Sequence, residues 1–132
     1  MRAVLSLCTV ALVASVGGGA PYLRDVVANI NAGRYDEAIA ALERDGSRQQ
    51  LLLAVAYAGK GDLAAARREA ENFLRWRPDD VAANCLLALI LEEQREYGAA
   101  AERWDVVSRI AAEKSLRELA RKHADVARLL QR

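Results

Sequence analysis

A pattern that recurs at one fixed interval constrains the fold of this chain more than any other feature of its sequence. Six residues of one stretch each have a counterpart further along the chain, always at the same separation. Leu53, Ala54, Tyr57, Gly61, Leu63 and Ala66 correspond in this order to Leu87, Ala88, Leu91, Arg95, Tyr97 and Ala100. A shorter copy begins at Gly33 and includes Tyr35 and Ala38. Gly33 precedes Gly61 by fewer residues than separate Gly61 from Arg95. A helix pair that repeats after about 34 residues is one unit of a solenoid, because a single pair cannot bury its apolar face alone.

The sequence predicts an all-α protein with seven helices. Apolar residues recur three and four positions apart, and glycine, aspartate and proline stand at the breaks. No stretch has the alternation of a β-strand. The predicted helices are Tyr22–Ala32, Asp36–Asp45, Arg48–Lys60, Leu63–Arg75, Val81–Gln94, Tyr97–Ala112 and Ser115–Gln131.

The turns between these helices resemble those of tetratricopeptide repeat (TPR) proteins. GRYDEAI, GDLAAA and REYGAAA follow that family's order of glycine, polar residue, aromatic residue or leucine, two further residues and alanine, although Arg95 replaces the glycine of the third turn. The resemblance implies a right-handed superhelical solenoid of antiparallel helix pairs, with about three repeats and a C-terminal capping helix. Its signature positions are Gly33, Tyr35, Ala38, Ala54, Tyr57, Gly61, Ala66, Pro78, Ala88, Tyr97, Ala100 and Trp104.

Small residues are predicted to lie between the two helices of a pair, and large side chains, Trp104 among them, are predicted to fill the core between successive pairs. Ala54 with Ala66, and Ala88 with Ala100, are small residues on the two helices of one pair, and they allow the helix axes to approach closely. The open end of a solenoid needs a cap, and the last helix is predicted to supply it. The apolar stripe expected to pack there consists of Leu116, Leu119, Ala120, Val126, Ala127 and Leu130.

The N-terminal segment, residues 1–20, predicts export. One charge, Arg2, precedes an apolar run, Ala3–Val16, and small residues follow it, as in a secretory signal peptide. The sequence thus divides into residues 1–20, a signal peptide or an uncleaved membrane anchor, and residues 21–132, the repeat domain. We expect an exported protein in the periplasm or at the bacterial envelope membrane, in preference to the cytoplasm. The structural alternative is a first helix packed onto the domain.

No catalytic, metal or cofactor site is expected. Asp36 and Glu37 are adjacent at the start of a helix, where they point about 100° apart and the helix dipole stabilises negative charge. His123, the single histidine, has no ligand partner three or four residues away, and after signal removal Cys85 is the single cysteine. The near balance of 19 basic and 18 acidic residues gives no reason to expect nucleic acid. The basic C-terminal helix is interpreted as a solvated face, with an acidic partner or anionic lipid as the alternative.

The predicted partner is another protein. In the family, the first helices of successive pairs line a concave groove, which would bind an extended peptide or an amphipathic helix. By resemblance, the exposed residues of this predicted groove are Leu23, Val27, Arg48, Leu51, Val55, Cys85, Leu89 and Glu92.

The expected function is that of an interaction scaffold that assists assembly of an envelope complex. One alternative is a membrane-tethered, self-associating subunit of a secretion or pilus apparatus, in which a homo-oligomer forms. A remote alternative is an enzyme, which would need a pocket that joins His123, Cys85 and a carboxylate.

Overall fold

The computed structural model describes residues 21–44 and 49–132. All described regular structure is helical, so the all-α prediction is confirmed. Apart from the predicted ends Asp45 and Arg48, the helix bounds agree with the predicted ones to within two positions. Those two ends, and the predicted signal or anchor of residues 1–20, lie outside the described residues. The helices are α1 (Pro21–Asn31), α2 (Tyr35–Arg44), α3 (Gln50–Lys60), α4 (Leu63–Trp76), α5 (Val81–Glu93), α6 (Tyr97–Ile110) and α7 (Lys114–Gln131).

The described residues form two compact units, one up to residue 72 and one from residue 73 onward, and the boundary falls within α4. In the first unit α2 packs against α1 and α3, and in the second unit α6 packs against α5 and α7. No helix within residues 21–44 and 49–132 is long and apolar enough to cross a membrane.

Three turns repeat one backbone geometry, the Schellman motif. They follow α1, α3 and α5, and in each a residue with positive φ comes just after the helix: Gly33 at 80°, Gly61 at 94° and Arg95 at 61°. The N–H of that residue bonds the carbonyl three positions back, and the next N–H bonds the carbonyl five positions back, at distances of 2.8–3.1 Å. Arg95 therefore keeps the glycine geometry, although an L side chain disfavours it.

An alanine five positions after each of these turn residues is completely buried. Ala38, Ala66 and Ala100 have no exposed surface, and Ala54 and Ala88 on the preceding helices have none either. The burial that the sequence predicted for these small residues is confirmed. Their side chains occupy little space, so neighbouring helices can approach closely where they lie.

Side-chain contacts join α2 to α3 in the first unit. A Cβ atom added to Gly59 of α3 would clash with the ring of Tyr35, so this ring occupies the space that a side chain would need. The Tyr57 hydroxyl donates to Oε1 of Glu43 at 3.1 Å. Burial, and then this hydrogen bond, raise the pKa of Tyr57.

A buried asparagine fixes the start of α5 in the second unit. Asp80 caps the helix by accepting from the Ala83 N–H at 2.8 Å. Asn84, which is completely buried, donates through Nδ2 to the carbonyls of Pro78 and Asp80, both at 2.9 Å. Its Oδ1 accepts from Arg103 of α6 at 3.1 Å. The polar atoms of this side chain are therefore satisfied, as a buried amide requires.

Replacing Arg95 by glycine is expected to raise the free energy of unfolding by about 0.5–1 kcal/mol, because glycine adopts positive φ without the clash that an L side chain meets. Urea titration followed by circular dichroism measures it. The matched change, Gly61→Ala, has no heavy atom within 4 Å of the added Cβ. Its expected cost of about 1–2 kcal/mol is therefore conformational. A destabilising Arg95→Gly would contradict the interpretation of this turn.

Candidate interaction surface

The predicted groove is largely buried. Leu23, Leu51, Cys85 and Leu89 are each 6% exposed and Val55 is 1% exposed, so the expectation that these five side chains are exposed is wrong. Val27 and Glu92 are half-buried, and Arg48 lies outside the described residues. The described members also belong to both compact units, with Leu23, Val27, Leu51 and Val55 in the first and Cys85, Leu89 and Glu92 in the second.

Two helices that are apolar on nearly every side explain the burial of Leu51, Val55, Cys85 and Leu89. In α5 nine consecutive residues, from Ala83 to Leu91, are buried, and in α3 six of eleven are. A helix that is hydrophobic all round is covered on all sides. The apolar composition of both helices is visible in the sequence, whereas the TPR resemblance implied one exposed side for each helix.

The carboxylates Asp36 and Glu37 do not converge on one point. Oδ1 of Asp36 lies 2.6 Å from Nζ of Lys60, at the end of α3, and Oε2 of Glu37 lies 3.5 Å from Nε of Arg34. The hydrogen bond to Asp36 raises the pKa of Lys60. Each acid therefore has its own cationic neighbour at the start of α2, where the helix dipole also favours negative charge.

A polar cluster links the three helices α5, α6 and α7. Nε1 of Trp104 donates to Oε1 of Glu92 at 2.6 Å, and Nδ1 of His123 lies 3.1 Å from the same oxygen. The rings of Trp104 and His123 have centroids 4.6 Å apart and are tilted by 35°. A buried indole N–H needs an acceptor, and Glu92 supplies it from the neighbouring helix.

Sequence reasoning found only part of this cluster. It predicted Trp104 as a large core residue, and its 2% exposure confirms that. It assigned Glu92 to the groove and gave His123 no partner. The indole N–H of a buried tryptophan indicates that an acceptor must lie nearby. The sequence could not identify it, because the three residues lie far apart and their spacing matches no helical period. No group of three or more metal-binding side chains occurs in the described part of the chain.

The last helix contacts α6 through alanine. Ala120, Ala124 and Ala127 are at most 2% exposed, and they recur at the i, i+4, i+7 spacing of one helix side. On α6, a Cβ atom added to Gly98 would meet Nε2 of Gln131 at 2.7 Å. Arg128 pairs with Asp105 of α6, and Arg117 donates to the carbonyls of Ala111 and Ala112, just past the end of that helix. Small residues on both helices thus allow close contact.

Large apolar side chains of α7 lie outside this contact. Leu119 is 41% exposed, Val126 53%, Leu130 55% and Leu129 67%. The burial predicted for the α7 stripe is therefore confirmed for Ala120 and Ala127, is partial for the half-buried Leu116 and is wrong for Leu119, Val126 and Leu130. The reason is geometric: a contact made by alanines covers a narrow strip, and these three larger residues point roughly 60–120° away around the helix. Leu119, Val126 and Leu130 are called the outer stripe below.

Comparisons with protein-family models, with curated proteins and with solved structures find no match to this chain.

Replacing Trp104 by phenylalanine is expected to lower the free energy of unfolding by about 1–3 kcal/mol, since it removes the hydrogen bond to Glu92 and leaves a gap in the core. Chemical denaturation followed by circular dichroism measures the change. Trp76→Phe is the matched control, because Trp76 is 84% exposed; it should change stability by less than about 0.5 kcal/mol. Equal effects of the two substitutions would mean that the cluster contributes nothing to stability.

Proposed function

We propose that this protein is a non-catalytic interaction scaffold of TPR type, which binds another protein chain through the outer stripe of α7. The observation that carries the proposal is the exposure of that stripe. Of the five large apolar side chains exposed in the described residues, three form the outer stripe; Leu129 of α7 and Trp76 are the other two. Large apolar residues concentrated on one side of one helix are typical of a surface that another protein covers.

An amphipathic helix is the partner chemistry that suits this surface. A helix presents its apolar residues at i, i+3, i+4 and i+7, and such a face packs against another of the same spacing. The burial of most of the predicted groove is the reason for proposing α7 as the binding surface in its place. Binding in the groove remains a prediction for its half-buried members, Val27 and Glu92.

A solenoid arrangement of the helices is part of this proposal. It is supported by the Schellman turn that recurs at Gly33, Gly61 and Arg95, because each of these turns is followed by a fully buried alanine. We propose that successive helix pairs stack into a right-handed superhelix of about three repeats, with α7 at its end.

We propose export to the periplasm or the envelope membrane, with a role in assembling an envelope complex. The support is the sequence of residues 1–20, in which Arg2 precedes the apolar run Ala3–Val16. Mass spectrometry of the protein from its native source is expected to find an N-terminus after residue 15. An intact Met1 would favour the second candidate, a membrane-tethered subunit of a secretion or pilus apparatus that associates with itself. The exposed outer stripe of α7 also suits that candidate.

Affinity purification with crosslinking tests the scaffold function. The full chain, tagged and expressed in its native envelope, is compared with the variant Leu119→Glu/Leu130→Glu. The wild type is expected to enrich a defined protein, other copies of this chain included, and the double variant should lose most of it because charge is costly in an apolar contact.

Leu129→Glu is the matched control for this purification. It makes the same chemical change on the same helix, at a residue that is 67% exposed and lies outside the outer stripe. It should retain the partner. A set of captured proteins that is identical for all three forms would contradict binding through α7.

A further inference from the structure

We propose that the end of α4 docks on the surface of an anionic lipid bilayer, through Trp76 and the arginines on either side of it. Arg75, Trp76 and Arg77 are called the arginine–tryptophan patch below. The observations that carry the inference are the exposure of the indole, the positive charge of its two neighbours, and the lack of partners for those charges among the described residues. The patch lies outside α7, so this inference goes beyond the proposed function and does not depend on it.

Trp76 is the most exposed large apolar side chain in the part of the chain that the structure describes. It is the last residue of α4 and is 84% exposed, whereas the other tryptophan, Trp104, is 2% exposed. A tryptophan side chain is usually well buried, because its two rings carry a large apolar surface. An indole left almost entirely in water is therefore a candidate contact for something outside the chain.

Both neighbours of Trp76 carry an exposed positive charge. Arg75 and Arg77 are exposed, and neither guanidinium group makes an ion pair or a hydrogen bond with residues 21–44 or 49–132. By contrast, Arg67 of the same helix pairs with Glu71. The helix dipole favours a cation in the last turn of α4, but it leaves both guanidinium groups able to bind an anion.

Two carboxylates follow the patch, and both lie at the start of α5. Asp80 is the N-cap and accepts from the Ala83 N–H at 2.8 Å, and Asp79 precedes it. The dipole of α5 stabilises negative charge at this end of the helix. Asp79 is exposed two positions after Arg77, so it reduces the positive charge of the patch, and its removal should strengthen binding to an anion.

A bilayer surface suits this combination of residues better than another protein does. The centre of a protein interface combines several apolar residues, and those around a key tryptophan exclude water from it. Trp76 is the only exposed large apolar side chain among the described residues outside α7. At a bilayer surface one tryptophan is sufficient, because its rings lie at the level of the headgroups while its N–H stays in contact with water. Arginine beside it binds phosphate groups through two parallel hydrogen bonds.

Tryptophan fluorescence of the purified full chain, mixed with lipid vesicles, tests the inference. Vesicles of phosphatidylcholine alone are compared with vesicles that contain about 30% phosphatidylglycerol, which gives the surface a negative potential. The emission of Trp76 is expected to shift to shorter wavelength with the anionic vesicles only, because the indole leaves water. Trp104 is already buried and contributes a constant background. Raising the salt concentration from about 0.05 to 0.5 M should reverse the shift, since salt screens exposed charges.

Three substitutions define the expected response. Trp76→Phe should abolish the shift. Arg75→Gln combined with Arg77→Gln should raise the lipid concentration at half-maximal shift by about tenfold or more, since each arginine near an anionic surface strengthens binding by about fivefold. Asp79→Asn should lower that concentration by about two- to fivefold, because it removes a negative charge beside the patch. Circular dichroism of every variant checks that it is folded.

Arg109→Gln is the matched control. Arg109 is also an exposed arginine in the last turn of a helix, but its neighbours in the sequence are Ser108 and Ile110. The substitution removes the same charge from the chain and should leave the shift unchanged. An equal effect of Arg109→Gln and Arg75→Gln would mean that only the total charge matters, and it would overturn binding through the patch.

Three other results would overturn the inference. One is a Trp76 emission that does not change with anionic vesicles, even if the vesicles bind the chain through residues 1–20. Another is a shift that persists in Trp76→Phe. The third is a shift that soluble polyglutamate produces and vesicles do not, because the ligand would then be an acidic polypeptide. The capture experiment on α7 does not involve Trp76, so the proposed scaffold function stands or fails on its own result.

Discussion

Close contact between helices through alanine is the constraint on which the rest of this structure depends. Five alanines that follow or precede the repeated turns have no exposed surface, and three more on α7 are almost completely buried. At such positions no larger side chain fits without moving the helices apart. The Schellman turns serve this contact, because they end one helix and begin the next within a few residues and so keep the two helices adjacent.

This mode of packing determines which apolar residues are left uncovered. Alanine fills a narrow strip between two helices, so the larger residues beside the strip need a further neighbour. Within α5 they are buried on every side, from Ala83 to Leu91. On α7 the outer stripe is exposed instead, and this exposure is the physical basis of the proposed interaction surface.

Polar interactions fix the details of the second unit. Asn84 ties the start of α5 to Arg103, and Glu92 accepts from Trp104 beside His123. Each supplies a partner to a group that burial would otherwise leave unsatisfied. None of these pairs could be predicted, because their members are separated in the sequence and meet only when the helices pack.

The sequence by itself determined the helices, their ends and the small residues between them, since periodicity, glycine and alanine act over a few neighbouring positions. It even indicated the turn at Arg95, which lies one full repeat after Gly61. Only the tertiary structure decided which apolar side chains are covered: it buried Leu51, Val55 and Leu89 and left Leu119, Val126 and Leu130 exposed. Exposure depends on which helices lie beside a residue, and a periodic pattern gives the apolar side of a helix but not the neighbour that covers it.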